Sequence, residues 1–74
     1  MTGQDRKILQ TIGENLRFYR KRAGYTQEYV RLALHVSQNT ICNYECGRRS
    51  ASSLRMVKMA KLYGCTVADL TEGV

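Results

Sequence analysis

Residues 26–47, TQEYVRLALHVSQNTICNYECG, carry the signals of two short helices separated by a turn. Thr26 is a residue that favours the N-cap of a helix, and Ser37 is the corresponding cap for a second helix. Gly47 tolerates a positive φ, so the second helix is expected to end at about Cys46. Only a few residues remain between the two helices to form the turn.

The second of these helices has two distinct faces when successive residues are rotated by about 100°. Ile41 and Tyr44 lie on the apolar face. The opposite face is uncharged and rich in amides, and consists of Gln38, Asn39, Cys42, Asn43 and Cys46. Amide side chains offer the donor and acceptor pair that matches adenine N6 and N7 in the major groove. The pattern predicts a helix-turn-helix unit that reads DNA, and an ordinary solvated face is the alternative.

Length and charge limit what the rest of the chain can be. With 74 residues and 43% hydrophobic content, it is predicted to form one domain, residues 1–74, with a single core. A net charge of +6 favours polyanionic partners, nucleic acid before anionic membranes. Because there is no long apolar run, and charges stand where a signal peptide needs its apolar core, we expect no membrane association and a cytoplasmic location.

The remaining segments predict three more helices. Residues 1–5 are predicted to be a flexible arm, followed by a first helix that ends at Gly24 and begins near residue 6 or, because of Gly13, nearer Thr11. A fourth helix runs from about residue 52 to residue 63, and the T-x-x-D pattern of residues 66–69 predicts a short last helix. Periodicity places four residues on the inner side of the fourth helix: Met56, Val57, Ala60 and Tyr63.

Basic residues cluster at two places. The last turn of the first helix contains Arg20, and the loop of residues 47–51 contains Arg48 and Arg49. Paired guanidinium groups on a flexible backbone suit the phosphates of DNA, although a solvated loop has the same composition.

The three cysteines do not predict a disulfide framework, because their number is odd and the chain can form a helical core without one. Cys42 and Cys46 nevertheless share one helical face, and His35 is near in sequence. A thiol- or metal-responsive regulator is therefore an alternative, although structural zinc normally takes four ligands. We expect no metal, no other cofactor and no small-molecule effector.

Other function classes find less support. One histidine, no nucleophile beside a base and no phosphate-binding glycine loop argue against an enzyme. An adaptor that binds RNA or protein remains an alternative, but the chain lacks the aromatic platform typical of single-strand binding.

Short motifs follow one another in a defined order: GYTQE at 24–28, VSQ at 36–38, TI at 40–41, YExGR at 44–48 and AKxxG at 60–64. In order and spacing, residues 12–70 resemble the lambda-repressor-like helix-turn-helix family of the Cro/C1 or xenobiotic-response-element type. The resemblance implies an all-α, compact five-helix DNA-binding domain. It further implies a sequence-specific regulator of transcription, a repressor or operon controller, that binds double-stranded DNA.

The resemblance also implies roles for individual residues. The expected base-edge contacts are Gln38, Asn39, Cys42 and Asn43. The expected phosphate contacts are Thr26, Gln27, Ser37, Arg20, Arg48 and Arg49. Arg20 is also expected to pair with Glu45, which would otherwise be repelled by phosphate. Three positions depart from the family pattern. Arg31 replaces a usual Ala, and His35 replaces a usual Gly or Asn. Ser53 and Leu54 stand where the apolar residue normally comes one position earlier, and the Pro that often precedes the fourth helix is absent.

The family usually binds as a two-fold dimer, and one helix reads too few base pairs to select a site alone. We expect a weak homodimer that DNA completes. Its candidate contacts are Val67, Leu70, Val74 and Phe18. Phe18 lies away from the apolar stripe of the first helix, so either the N-terminal arm or a partner would cover it.

Overall fold

The computed structural model describes residues 2–74, which form five α-helices and no strand. The helices are α1 (Gly3–Arg22), α2 (Gln27–Leu34), α3 (Gln38–Glu45), α4 (Ser53–Tyr63) and α5 (Val67–Leu70). The predicted all-α class and the number of helices are confirmed. None of these helices combines the length and the apolar character needed to cross a membrane.

Each helix begins directly after a Ser or Thr. The hydroxyl oxygen of this residue accepts a hydrogen bond from the backbone N–H three residues later, which is the bonding that an N-cap provides. The five caps are Thr2, Thr26, Ser37, Ser52 and Thr66. Because the interaction spans three residues, sequence alone is enough to locate most of these helix starts.

The start of α1 differs from its prediction. Thr2 and Asp5 form a capping box, in which the Asp5 N–H donates to Thr2 Oγ1 (3.0 Å) and the Thr2 N–H donates to Asp5 Oδ2 (3.4 Å). The predicted arm is therefore wrong for residues 2–5, which cap and begin the helix, and Met1 lies outside the described residues. The alternative start near Thr11 is also wrong.

A single apolar core lies between the helices. Its buried side chains are Leu16, Val30, Ile41, Tyr44, Met56, Met59, Ala60, Tyr63 and Leu70. Every helix contributes to this list, so the short helices α2, α3 and α5 are stabilised mainly by packing and not by their own propensity.

The C-terminal helix α5 lies against α1. Asn15 Nδ2 donates to the carbonyl oxygens of Leu70 (3.1 Å) and Glu72 (2.8 Å). The Leu70 side chain is fully buried in the core. Its expected role as a dimer contact is therefore wrong, because no partner can reach it without unfolding α5.

Other apolar side chains remain on the surface. Val57 is 42% exposed, so its predicted inner position on α4 is wrong, and the fully buried Met59 contributes to the core in its place. Leu54, one turn before Val57, is 67% exposed, and Val67 on α5 is 37% exposed. We call Leu54, Val57 and Val67 the α4–α5 patch. Phe18 and Val74 are exposed elsewhere, and the Phe18 ring packs edge-on against Tyr19.

Two glycines allow α1 to approach the end of α3 closely. A Cβ atom at Gly13 would lie 2.6 Å from the Glu45 carbonyl oxygen and 2.7 Å from that of Tyr44. A Cβ atom at Gly47 would lie 2.9 Å from Gln10 Cα. Gly47 also has a positive φ of 75° and ends α3 as predicted. The backbones of the two helices therefore meet at a distance that no larger residue permits.

We expect Gly13→Ala to lower the free energy of unfolding by about 1–3 kcal/mol, because the added methyl group overpacks a backbone contact. At an open helical position the same change would stabilise the helix by about 1 kcal/mol. Urea unfolding measures the difference. Gly3→Ala is the matched control, since nothing lies within 4 Å of its added Cβ. A Gly13→Ala protein as stable as the parent would show that α1 and α3 are not in close contact.

Candidate nucleic-acid interface

The turn between α2 and α3 depends on His35. This residue has a left-handed backbone (φ 58°, ψ 46°), and it is the one non-glycine residue with positive φ in residues 2–74. The His35 N–H donates to the Leu32 carbonyl, and the Val36 N–H to the Arg31 carbonyl. Left-handed residues other than Gly are uncommon, but His is among those enriched there. His35 thus adopts the conformation for which Gly or Asn is usual, and the turn is formed.

Helix α3 has the two faces that its sequence predicts. Ile41 is fully buried and Tyr44 nearly so, which fixes the inner face against the core. On the outer face, Gln38 and Asn39 are exposed and Asn43 is half-buried. In the part of the chain that the structure describes, the side-chain amides of these three residues have no hydrogen-bond partner. They are therefore free to bond to an external partner.

The N-terminal ends of α2 and α3 are also exposed. The Thr26 and Ser37 oxygens accept the cap hydrogen bonds from Tyr29 N and Thr40 N (both 3.1 Å). Gln27, an expected phosphate contact, also bonds within the protein, because its Nε2 donates to Glu45 Oε1 (3.1 Å). One amide hydrogen of Gln27 is therefore already used within the protein.

The basic loop after α3 is closed onto that helix. The backbone N–H groups of Arg48 and Arg49 both donate to the Asn43 carbonyl (2.9 and 3.3 Å), and both side chains are exposed. Beside the loop is a polar recess of about 390 Å³. Its lining residues are Asn39, Thr40, Asn43, Tyr44, Arg49, Ser50 and Arg55. The lining contains two guanidinium groups and no carboxylate, which suits an anion such as a DNA phosphate.

Arg55 was missed as a candidate phosphate contact in the sequence. It lies in the first turn of α4, where its backbone N–H donates to the Ser52 cap and its Nη1 donates to Tyr44 Oη (3.0 Å). A cation in the first turn of a helix opposes the helix dipole. That unusual placement is the signal that would have identified it.

Arg20 and Glu45 form the predicted ion pair. Arg20 Nε lies 2.7 Å from Glu45 Oε2, and Arg20 Nη2 lies 3.0 Å from Glu45 Oε1. The third nitrogen, Nη1, donates to the Tyr25 carbonyl (2.8 Å). Both ionic residues are 8% exposed, and the hydrogen bond to Glu45 raises the pKa of Arg20. Three of the five guanidinium N–H groups are thus used within the protein, and the additional expectation that Arg20 contacts phosphate stays a prediction.

Comparison with known proteins agrees with this geometry. The family model described as helix-turn-helix matches residues 16–70. The chain belongs to the helix-turn-helix family. The predicted resemblance is confirmed, and this is a family of DNA-binding regulators of transcription and not an enzyme class.

Two curated relatives support the assignment to the helix-turn-helix family. The chain is 36% identical over 59 residues to the competence pilus inhibition repressor of Acinetobacter baylyi, covering 80% of this chain and 54% of that protein. It is 32% identical over 53 residues to the HTH-type transcriptional regulator ImmR of Bacillus subtilis, covering 72% and 42% respectively. The chain thus matches about half the length of these relatives.

The helix-turn-helix unit of this chain carries two thiols on its outer face. Cys42 is half-buried and Cys46 exposed, and their Sγ atoms lie 3.6 Å apart. Residues 2–74 contain no group of three or more His, Cys, Asp or Glu side chains that could hold a metal ion. His35 therefore does not join the thiols in a metal site.

We expect Glu45→Gln to lower the free energy of unfolding by about 3 kcal/mol, because it leaves the buried Arg20 charge without a counter-ion. Arg17→Ala, which removes an exposed cation from the same helix, is expected to change stability by less than about 0.5 kcal/mol. Both are measured by urea unfolding. The double variant Arg20→Met/Glu45→Met should recover part of the loss, since no unpaired charge remains. Equal stability of Glu45→Gln and Arg17→Ala would contradict the importance of the pair.

Proposed function

We propose that the protein represses transcription by binding a specific double-stranded DNA site as a homodimer, with α3 in the major groove. The observation that carries this proposal is the amide face of α3, whose side-chain amides have no hydrogen-bond partner among residues 2–74 and which lies beside a basic recess. One relative is named a repressor and the other a transcriptional regulator, and both names support a role in regulating transcription.

The base contacts follow from which side chains are free. Gln38 and Asn39 lie in the first turn of α3, and recognition helices of this type contact bases mainly with their N-terminal residues. Asn43, one turn later, lies on the same face. An Asn or Gln amide that bonds to adenine N6 and N7 discriminates against other bases by about 1–3 kcal/mol. Cys42 lies between these amides and offers a weakly polar surface to a base edge.

The phosphate contacts are assigned to two places beside α3. The first is the N-terminal end of α2, where backbone N–H groups and the free hydrogen of the Gln27 amide attract an anion. The second is the polar recess, where Arg49 and Arg55 flank the space. Arg48, with its side chain in solvent, adds a third cation nearby. Phosphates on both sides of the groove would hold the amide face against the bases.

We expect Asn39→Ala and Arg49→Ala to weaken DNA binding in different ways. Asn39→Ala should cost about 1–3 kcal/mol on the preferred duplex and little on random duplex, because it removes a base contact. Arg49→Ala should weaken both duplexes and reduce the slope of log affinity against log salt by about 1. Binding titrations at several salt concentrations measure both effects.

Lys58→Ala is the control for net charge. It removes the same charge as Arg49→Ala, but Lys58 borders a different recess, next to Leu34 and His35. Its binding should stay near that of the parent protein. Equal losses for Lys58→Ala and Arg49→Ala would show that charge alone drives binding. Equal affinity for double-stranded RNA would favour the adaptor reading instead.

The dimer contact is assigned to the α4–α5 patch. Leu54 and Val57 are neighbours on one face of α4, and Val57 and Val67 border the same apolar cleft. Tyr44, Arg49 and Ser50 line both this cleft and the polar recess, so the patch lies next to the proposed DNA-binding surface. Two copies joined there would both face the DNA. Phe18 and Val74, on other parts of the surface, are the weaker candidates.

We expect Val67→Asp to reduce cooperative binding to a two-fold site without unfolding the protein, because Val67 is partly exposed. Val74→Asp, which places the same charge at a more exposed position outside the patch, should leave dimerisation unchanged. Sedimentation of the protein with and without DNA measures the stoichiometry. If two copies of the Val67→Asp protein bound the DNA site as tightly as two copies of the parent protein, the α4–α5 patch would be excluded as the dimer interface.

A further inference from the structure

The Cys42 and Cys46 thiols form an isolated pair on the outer face of α3. They are four residues apart, one helical turn, and their sulfurs are 3.6 Å from each other. The remaining cysteine, Cys65, follows α4 and is half-buried against the core. The pair is thus the one place in residues 2–74 where two thiols can act together.

A direct disulfide fits this pair poorly. A disulfide needs an S–S distance of about 2.05 Å and Cβ atoms about 3.5–4.5 Å apart, whereas Cβ atoms four residues apart on a helix are about 5–6 Å apart. Closing the bond would distort α3, which the Ser37 cap and the buried Ile41 hold in place. A ligand that inserts one atom between the sulfurs needs less distortion.

A zinc-type metal also fits poorly, because two thiols provide only half of the usual four ligands. A dimer on DNA does not supply the rest. The two reading helices would lie about 34 Å apart, one turn of the double helix, so the thiols of the two copies remain separate. The ligand that fits must be satisfied by two sulfurs from one helix.

We propose that Cys42 and Cys46 form a dithiol site for a trivalent arsenical, and that its occupation blocks DNA binding by α3. An organic arsenic(III) oxide reacts with two thiols to form two As–S bonds. The As–O bonds break, and the oxygen leaves with the two thiol protons as one water. Arsenic stays trivalent, so no oxidant or reductant is required.

The distance between the two sulfurs suits this reaction. Two sulfurs bound to one arsenic are not bonded to each other, so the distance between them is far longer than an S–S bond. It is close to the 3.6 Å between the Sγ atoms of Cys42 and Cys46. The hydrogen bond between the two thiols raises the pKa of Cys42 above its ordinary value.

The blocking effect rests on the proposed function of α3. Cys42 lies one turn after Gln38 and Asn39 on the outer face of α3, so an arsenic group on its sulfur lies beside the proposed base contacts and obstructs the approach of a base edge. Cys46 is exposed at the end of α3, which gives the reagent access from solvent. The site thereby couples a small thiophilic molecule to release from DNA.

The experiment uses phenylarsine oxide as the probe. After brief incubation and removal of excess reagent, intact-mass measurement should find one phenylarsenic group per chain on the parent protein and on Cys65→Ser. Cys46→Ser, at an exposed position, should keep its fold and lose the group on dilution. Occupation should reduce affinity for the preferred duplex by about tenfold or more, as expected when base contacts are lost. Excess of a small dithiol should restore it.

Retention of the group by Cys46→Ser, or unchanged DNA affinity of the fully occupied parent protein, would overturn the proposal. The mass measurement requires no DNA. If the unmodified protein bound no duplex, the proposed function would fail. The dithiol site would still be established if the parent protein retained the phenylarsenic group and Cys46→Ser lost it.

Discussion

The buried contact between Arg20 and Glu45 ties three helices together at the end of the DNA-reading helix. Glu45, the last residue of α3, accepts hydrogen bonds from Arg20 on α1 and from Gln27 on α2. A carboxylate at this place would repel phosphate if it were left alone. Burying an ion pair costs desolvation energy that its attraction barely repays. The ion pair therefore determines the position of α3 more than it adds to the total free energy of unfolding. If α3 were placed differently, one of the two buried charges would have no partner.

The close backbone contact at Gly13 and Gly47 lies at the same end of α3 as the ion pair. Gly13 lets the backbone of α1 reach the carbonyl groups of Tyr44 and Glu45, and Gly47 lets the chain leave α3 past the backbone of α1. With its C-terminal end held in this way and Ile41 in the core, α3 has no freedom to rotate about its axis. Its amide face therefore stays on the outer side of the domain, where the amides have no hydrogen-bond partner among the described residues 2–74. If α3 contacts bases as proposed, its side chains are already ordered before DNA binds, which limits the entropy lost on binding.

Local signals explain most of what the sequence predicted correctly. Caps at Thr26, Ser37, Ser52 and Thr66 act over three residues, so they are visible without a fold. The Thr2–Asp5 capping box has the same pattern and was overlooked. Leu70 was misplaced for a different reason: a four-residue helix has no periodicity to show its inner face, and its burial depends on Asn15, fifty-five residues away. The recess beside Arg55 likewise combines α3, α4 and the loop between them, a juxtaposition that only tertiary structure creates.

In the proposed function, α3 is held by α1 and α2 and presents its amides to a specific base sequence. Selection of binding sites from random double-stranded DNA by the purified protein tests it most directly. We expect enrichment of one two-fold symmetric sequence, with half-sites about one helical turn apart and adenines where the amides bond. A selected pool no different in sequence from the starting pool, although DNA is retained, would contradict it, because binding would then depend on phosphate alone.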